Sequence, residues 1–146
     1  MLFVCTGNTC RSPMAVGLLK KMFGPDTFRI LSAGTGAAEG LQPSRYAMEV
    51  MRDEDVDISD HRSRVLHADL LEEADKVLVM AESHRRQIAD WFKSYASKTR
   101  LLREFDPVRD DPDYPNVPDP IGLGKDAYIK CKDMIERSLE RAIKEL

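Results

Sequence analysis

The sequence predicts a small α/β domain built on a parallel sheet. Three observations carry that prediction. The chain opens with a strand, a loop, a helix and a second strand, the order of a βαβ unit. The segment Val77-Leu78-Val79-Met80 is wholly apolar, as a strand buried on both faces requires. Strands then alternate with helices along all 146 residues, without an internal repeat or a linker. The length suits one compact unit, so residues 1–146 are read as a single domain.

The elements follow in order. Met1-Leu2-Phe3-Val4-Cys5 is a short apolar run and reads as a buried strand. No basic stretch precedes it, so it is not read as a secretory leader. Thr6-Gly7-Asn8-Thr9-Cys10 is a polar loop whose Gly-Asn pair tolerates positive φ. Arg11-Ser12-Pro13 reads as a helix start, with Ser12 as N-cap and Pro13 at the first helical position. Met14, Ala15, Leu18, Leu19 and Met22 keep helical spacing up to Gly24-Pro25. Phe28-Arg29-Ile30-Leu31 reads as the second strand, and the Gly- and Ala-rich residues 34–42 as a loop. A helix is expected over 43–53, then a polar stretch, then the third strand at 76–80. A helix over 84–95 would place Ile88, Trp91, Phe92 and Tyr95 on one side, and a short strand is expected near 98–102. Residues 105–120 carry five prolines among repeated aspartates and read as a loop. Residues 125–146 form an amphipathic helix, with Ala127, Cys131, Met134, Ile135, Leu139, Ala142 and Ile143 on its apolar face.

Composition narrows the function. Lys and Arg number 22 against 25 Asp and Glu, a net charge of −3, which speaks against a nucleic-acid partner. No apolar run approaches the roughly 18 residues a membrane helix needs, so no membrane association is expected. Three cysteines make no disulfide framework and point to a reducing compartment, hence to the cytoplasm. The three histidines lack metal-ligand spacing; His67 and His84 read as surface residues, and Cys131 as core.

The chemistry gathers in the first loop. In an open parallel sheet, ligands bind beyond the carboxyl ends of the strands, where Cys5 stands. The loop after it offers successive backbone N–H groups and leads into a helix N-terminus, an anion cradle. Arg11 adds a planar fork of donors suited to phosphoryl oxygens. Such surroundings favour the thiolate of Cys5, a nucleophile aimed at phosphorus. Cys-x5-Arg is a weak pattern alone; the preceding strand, Gly7, Asn8 and the Ser12-Pro13 helix start sharpen it.

Val4-Cys5-Thr6-Gly7-Asn8-Thr9-Cys10-Arg11-Ser12-Pro13-Met14-Ala15 closely resembles the phosphate loop of the low-molecular-weight protein tyrosine phosphatases. Ser32-Ala33-Gly34, Asp60-His61-Arg62-Ser63-Arg64 and Asp119-Pro120 lie where that family has recurring motifs. The resemblance implies a three-layer α/β/α fold with a four-stranded parallel sheet, and no metal or other cofactor. It implies Cys5 as the nucleophile, passing through a phosphocysteine, and Arg11 as the ligand of the phosphoryl group. Thr6, Gly7, Asn8, Thr9, Cys10, Arg11 and Ser12 would form the cradle, with Ser12 bonded to the thiolate and Asn8 holding the loop in its strained shape. Ser32 and His61 would support Asn8. Asp119 would protonate the leaving group and then activate water. The dipeptides Asp106-Pro107, Asp111-Pro112 and Asp119-Pro120 are equal as sequence, so that last choice rests on the resemblance. Cys10 has two readings, a small buried residue or a reversible disulfide partner that protects Cys5 from irreversible oxidation.

Substrates implied by the resemblance are phosphorylated proteins or peptides, with inorganic phosphate as product and a monomer or weak dimer as the acting species. Tyrosine phosphatases of the family usually carry Ile where this chain has Thr9, and aromatic walls where it has Ala37 and Ile121. Thr9 is similar to the bacterial protein-arginine phosphatase branch, so phosphoarginine is the expected substrate and phosphotyrosine the alternative. Ala81 departs from the Asp that many tyrosine enzymes carry after the third strand. Arsenate reductase is a remote alternative: it needs relay cysteines after the third strand, and residues 77–100 have none. A phosphocysteine carrier would need neither Arg11 nor a catalytic acid.

Overall fold

The computed structural model describes residues 1–146. Four strands form one wholly parallel sheet, in the order β2-β1-β3-β4: β1 (Leu2–Cys5), β2 (Leu31–Gly34), β3 (Val77–Val79) and β4 (Thr99–Leu101). The helices are α1 (Arg11–Phe23), α2 (Arg45–Arg52), α3 (Ala68–Glu73), α4 (Glu82–Trp91) and α5 (Lys125–Glu145). No helix is long and apolar enough to cross a membrane.

The period-2 alternation of β1 explains the layers. Phe3 and Cys5 join Leu78 and Met80 in a cluster filled by α1, α2 and α5 through Met14, Leu18, Val50, Met51, Ile135 and Leu139. Leu2 and Val4 point the other way, to Ala33, Val77, Val79 and Leu101 beneath Leu70, Leu71 and Ile88 of α3 and α4. The expected α/β/α sandwich is therefore present, with β1 buried on both faces. Because β2 and β3 lie on opposite sides of β1, the carboxyl end of β1 faces the crevice where chain connections diverge.

Several boundaries differ from expectation. The second strand is Leu31–Gly34, not 28–31. Its register is fixed by pairing, Leu2 to Leu31 through Cys5 to Gly34. The small, half-polar Ser32-Ala33-Gly34 carries no hydrophobic signal, but only a residue without Cβ fits its last position. A Cβ on Gly34 would press into the Thr6 carbonyl oxygen and lie 2.8 Å from Ala37 Cβ and 3.0 Å from Asn8 N. The helix expected over 84–95 ends at Trp91, and Lys93–Lys98 form a 3-10 turn. Trp91 is 57% exposed, whereas Ile88 is fully buried and Phe92 and Tyr95 only flank the core. The short helix α3 was hidden in the polar stretch. On α5, Cys131, Met134, Ile135, Leu139 and Ala142 are buried as expected, Ala127 and Ile143 are only half-buried, and Tyr128, Lys132 and Ser138 are buried as well; Lys132 is neutralised by Glu54, Asp133 and Glu136.

Candidate active site

The loop between β1 and α1 wraps the Cys5 sulfur. Asn8 is its keystone: fully buried, with a left-handed φ of 55° that Asn adopts more readily than most residues. The backbone N–H of Arg64 donates to Asn8 Oδ1 at 2.9 Å, which sets the amide orientation. Asn8 Nδ2 then donates to Ser12 Oγ at 2.8 Å and to Ser32 Oγ at 3.0 Å. His61 Nε2 donates to the Asn8 carbonyl at 2.7 Å. Arg64 Nε in turn holds the Ser32 carbonyl at 3.0 Å.

These bonds orient the donors around sulfur. Ser12 Oγ lies 2.9 Å from Cys5 Sγ. With Asn8 Nδ2 donating to that oxygen, the Ser12 proton is free to turn to the sulfur. Asn8 N donates to the same sulfur at 3.3 Å. Two donors on one sulfur suit a thiolate. Ser12 is therefore not the N-cap; it lies inside α1, Cys10 holds the cap position without a side-chain bond, and the Ser12 hydroxyl faces the Cys5 sulfur instead.

Arg11, the first residue of α1, is 4% exposed. Its Nη1 donates to the Val117 carbonyl at 2.9 Å, while Nη2 lies 3.4 Å from both Thr6 Oγ1 and Asp119 Oδ2. The structure thereby separates the three Asp-Pro dipeptides. Asp106 is fully buried and clamped by Arg137 Nε and Nη2, each at 3.1 Å. Asp111 is bound to Arg103. Only Asp119 pairs with Arg11; its side chain is 42% exposed, and its Oδ1 accepts from Ile121 N at 3.1 Å.

The loop bearing Asp119 is moored at several points. Val117 N donates to the Met80 carbonyl at 2.7 Å, and Arg103 Nη1 to the Asn116 carbonyl at 2.7 Å. Asn116 Oδ1 accepts from Glu82 N at 2.8 Å. This bond caps α4 from outside where Ala81 offers no side-chain oxygen.

Cys10 is unpaired, and its thiol donates to Ser44 Oγ at 3.2 Å and contacts Tyr128 OH at 3.5 Å. Burial, then the Cys10 contact, pushes the Tyr128 hydroxyl up to about 12. Cys131 is core as expected, its thiol pushed up by burial. His67 is exposed as expected. His84 is not: it is 1% exposed, with Nε2 2.8 Å from Thr6 Oγ1, because the start of α4 packs under the phosphate loop. Burial first, and Arg11 second, push it down to about 4; burial likewise lowers His61. Thr9 is half-buried, with its carbonyl accepting from Ser44 N. Ala37 is half-buried and Ile121 is 61% exposed. The largest cavity, about 590 Å³, lies behind the loop, lined by Ser32, His61, Arg64, Val16 and Ile30 and not by Cys5.

Sequence reasoning did not find His84, Asn116, Arg103, Arg137 or the backbone of Arg64. A histidine just after β3, on the ligand side of the sheet, was a usable signal for the first; the others act through backbone atoms or long side chains that carry no local pattern.

Comparison with known proteins agrees with this geometry. The family model described as "Low molecular weight phosphotyrosine protein phosphatase" matches residues 1–146. A protein of Geobacillus stearothermophilus named protein-arginine-phosphatase is 35% identical over 146 residues, covering all of this chain and 95% of that protein. A solved YwlE arginine phosphatase mutant with a phosphorylated active-site serine superposes with a TM-score of 0.88 at 33% identity, over 99% of this chain and 93% of the other. A solved low molecular weight protein tyrosine phosphatase from T. tengcongensis has a TM-score of 0.87 at 40% identity, over 99% and 97%.

Proposed function

The chain belongs to the low molecular weight phosphotyrosine protein phosphatase family, and on that premise we propose that it hydrolyses phosphorylated protein side chains through a phosphocysteine. The observation that carries this reading is one convergence: Cys5 Sγ between two donors, with the Arg11–Asp119 pair beside the same loop.

The chemistry follows from the placement. Cys5 Sγ attacks phosphorus; an S–P bond forms as the bond to the leaving oxygen or nitrogen breaks. Asp119 delivers its proton to that leaving atom and is left as a carboxylate. Arg11 and the loop N–H groups hold the phosphoryl oxygens as charge develops on them. Asp119 then takes a proton from water, which attacks phosphorus. The P–S bond breaks, phosphate leaves, and Ser12 O–H and Asn8 N–H stabilise the departing thiolate.

Phosphoarginine is the preferred substrate in this proposal. Thr9 puts a small hydroxyl-bearing side chain in the loop, and Ala37 and Ile121 offer no ring to stack on a phenol. The acidic Asp119 suits a guanidinium leaving group. A relative named protein-arginine-phosphatase supports this choice. Phosphotyrosine is the second reading, favoured by the 40% identity to a solved tyrosine phosphatase. Phosphorylated proteins are the partners, acting with the chain as monomer or weak dimer, and the unpaired thiols of Cys5, Cys10 and Cys131 fit the reducing cytoplasm. Peroxide is expected to join Cys5 and Cys10 in a reversible disulfide; irreversible sulfonic acid at Cys5 with Cys10 untouched would reject that pairing.

The test of the mechanism is hydrolysis of p-nitrophenyl phosphate without added metal. Cys5→Ser abolishes it; full activity in that variant refutes the phosphocysteine route. The test of specificity is kcat/KM on phosphoarginine and phosphotyrosine peptides, with Thr9→Ile alongside. A strong wild-type preference for phosphotyrosine that Thr9→Ile leaves unchanged refutes the phosphoarginine assignment.

A further inference from the structure

His84 is a buried ring against the active-site loop that the mechanism above does not use. Its Nε2 lies 2.8 Å from Thr6 Oγ1, and Arg11 Nη2 lies 3.4 Å from the same oxygen. Its Nδ1 is buried and has no partner. Arg11 from α1 and Asp119 from the acid loop are the charged groups that bear on the ring, while Glu82 and Arg85 of its own helix pair with each other at 2.8 Å.

Hydrogen-bond inventory decides the direction of the Thr6 contact. A guanidinium only donates, so Thr6 Oγ1 accepts from Arg11. Were Thr6 to donate to Nε2, the ring proton would sit on Nδ1, an orphaned buried donor. Buried N–H groups without partners are rarer than under-used acceptors. With the proton on Nε2, only an acceptor lone pair at Nδ1 goes unused. Burial and the nearby Arg11 both disfavour the doubly protonated ring.

We propose that His84 is a positioning residue, whose Nε2–H donates to Thr6 Oγ1 and thereby leaves the Thr6 hydroxyl proton as a fixed donor to the phosphoryl group. Thr6 directly follows Cys5 and is exposed, and its Oγ1 lies 3.4 Å from Nη2 of Arg11, the proposed ligand of the phosphoryl group. With two lone pairs engaged, by His84 and by Arg11, the hydroxyl has one rotational choice left for its proton. Thr6 thus extends the cradle beyond the backbone N–H groups, and its oxygen also orients Arg11 Nη2. This inference rests on the phosphatase reading of the loop.

Two measurements test it. Long-range ¹H–¹⁵N spectra of histidine-labelled wild-type protein are expected to show His84 protonated at Nε2 and bare at Nδ1 at pH 6. An Nδ1–H tautomer or an imidazolium there overturns the proposal. Competitive inhibition of p-nitrophenyl phosphate hydrolysis by inorganic phosphate supplies the second readout. Thr6→Val and His84→Leu should each raise the inhibition constant about tenfold, as loss of one donor to an anion predicts, and the double variant should go no further. His84→Gln, which keeps a donor and folds more safely than His84→Leu, should recover most of that loss. Additive effects of the two single variants, or His84→Gln behaving like His84→Leu, refute the assignment. If wild-type protein neither binds phosphate nor hydrolyses the ester, the phosphatase reading fails, and the tautomer result still judges the His84–Thr6 bond by itself.

Discussion

Replacing Asn8 with alanine should damage both stability and catalysis, by an amount the structure allows to be worked out. The side chain makes three hydrogen bonds, to Ser12 Oγ, Ser32 Oγ and the backbone N–H of Arg64. Asn8 is fully buried, so no water replaces them. Each is worth about 1 kcal/mol net. The φ of 55° adds about 1 kcal/mol more, because a plain Cβ tolerates that region less well than Asn. The sum is about 4 kcal/mol, a large share of the roughly 5–15 kcal/mol that holds a domain together. At this chain length that is a fall in Tm of about 12 °C. Activity should fall further than stability accounts for. Ser12 loses the bond that turns its proton toward Cys5, and an ångström of displacement at a nucleophile costs on the order of a hundredfold in rate. Ser32→Ala removes one of the three bonds and leaves the Asn8 backbone as it is, so it should give about a quarter of the stability loss. Thermal unfolding followed by circular dichroism, with kcat on p-nitrophenyl phosphate measured well below Tm, checks both. A Tm within about 3 °C of wild type, or an Ser32→Ala effect as large as that of Asn8→Ala, would show that Asn8 does not hold the loop.

Gly34→Ala should cost about 1–3 kcal/mol and most of the activity, because the new Cβ meets backbone atoms of Thr6 and Asn8 that cannot swing aside; unchanged kcat would mean that the β1 and β2 ends have slack. Asp119→Asn should lower kcat by about 10²–10⁴ while phosphate binds at least as tightly, since a carboxylate beside Arg11 is removed; weaker phosphate binding with kcat intact would assign Asp119 to binding and not to proton transfer. His84 makes stability depend on acidity: its folded-state value of about 4 lies below the ordinary 6.5, so as pH falls the unfolded chain takes up the proton first. The contribution is complete above pH 6.5 and lost toward pH 4, amounting to roughly 3 kcal/mol, and His84→Gln should flatten that part of the curve. Denaturant midpoints at pH 7 and pH 4.5 check this; equal slopes in wild type and variant refute it.

What could be read in the sequence follows a physical division. β1, β3, α1 and α5 were legible because their apolar periodicity is local, and Cys5, Arg11 and Asn8 were legible because a strand, a loop and a helix start lie adjacent in the chain. β2 was misplaced because its position depends on pairing with β1 and on the space at Gly34, neither of which leaves a hydrophobic pattern. Ser12 looked like a cap because caps and thiolate donors are the same hydroxyl, distinguished only by what lies opposite. His84 looked like a surface residue because its burial comes from the β1–α1 loop, 78 residues away. Apart from the family resemblance, only its neighbour distinguishes Asp119 from Asp106 and Asp111: the latter two face the Arg103 and Arg137 guanidinium groups, and Asp119 faces Arg11.

Arg11 joins the two halves of the site. Nη1 is committed to the Val117 carbonyl, two residues from Asp119, and Nη2 stands between Thr6 and Asp119. One guanidinium therefore touches both the loop that follows Cys5 and the loop that carries Asp119. A lysine ammonium lacks the planar fork needed to hold a carbonyl and a phosphoryl group at fixed spacing. Arg103 repeats the arrangement one step further out, binding Asp111 and the Asn116 carbonyl from the end of β4. The proline-rich loop, which has no helix or strand of its own, is thus positioned by two buried arginines whose charges are met by its own aspartates. A net charge of −3 is therefore no obstacle to an anion at this loop, because its arginines are matched locally and the oriented N–H groups and the start of α1 add attraction that the charge count does not include.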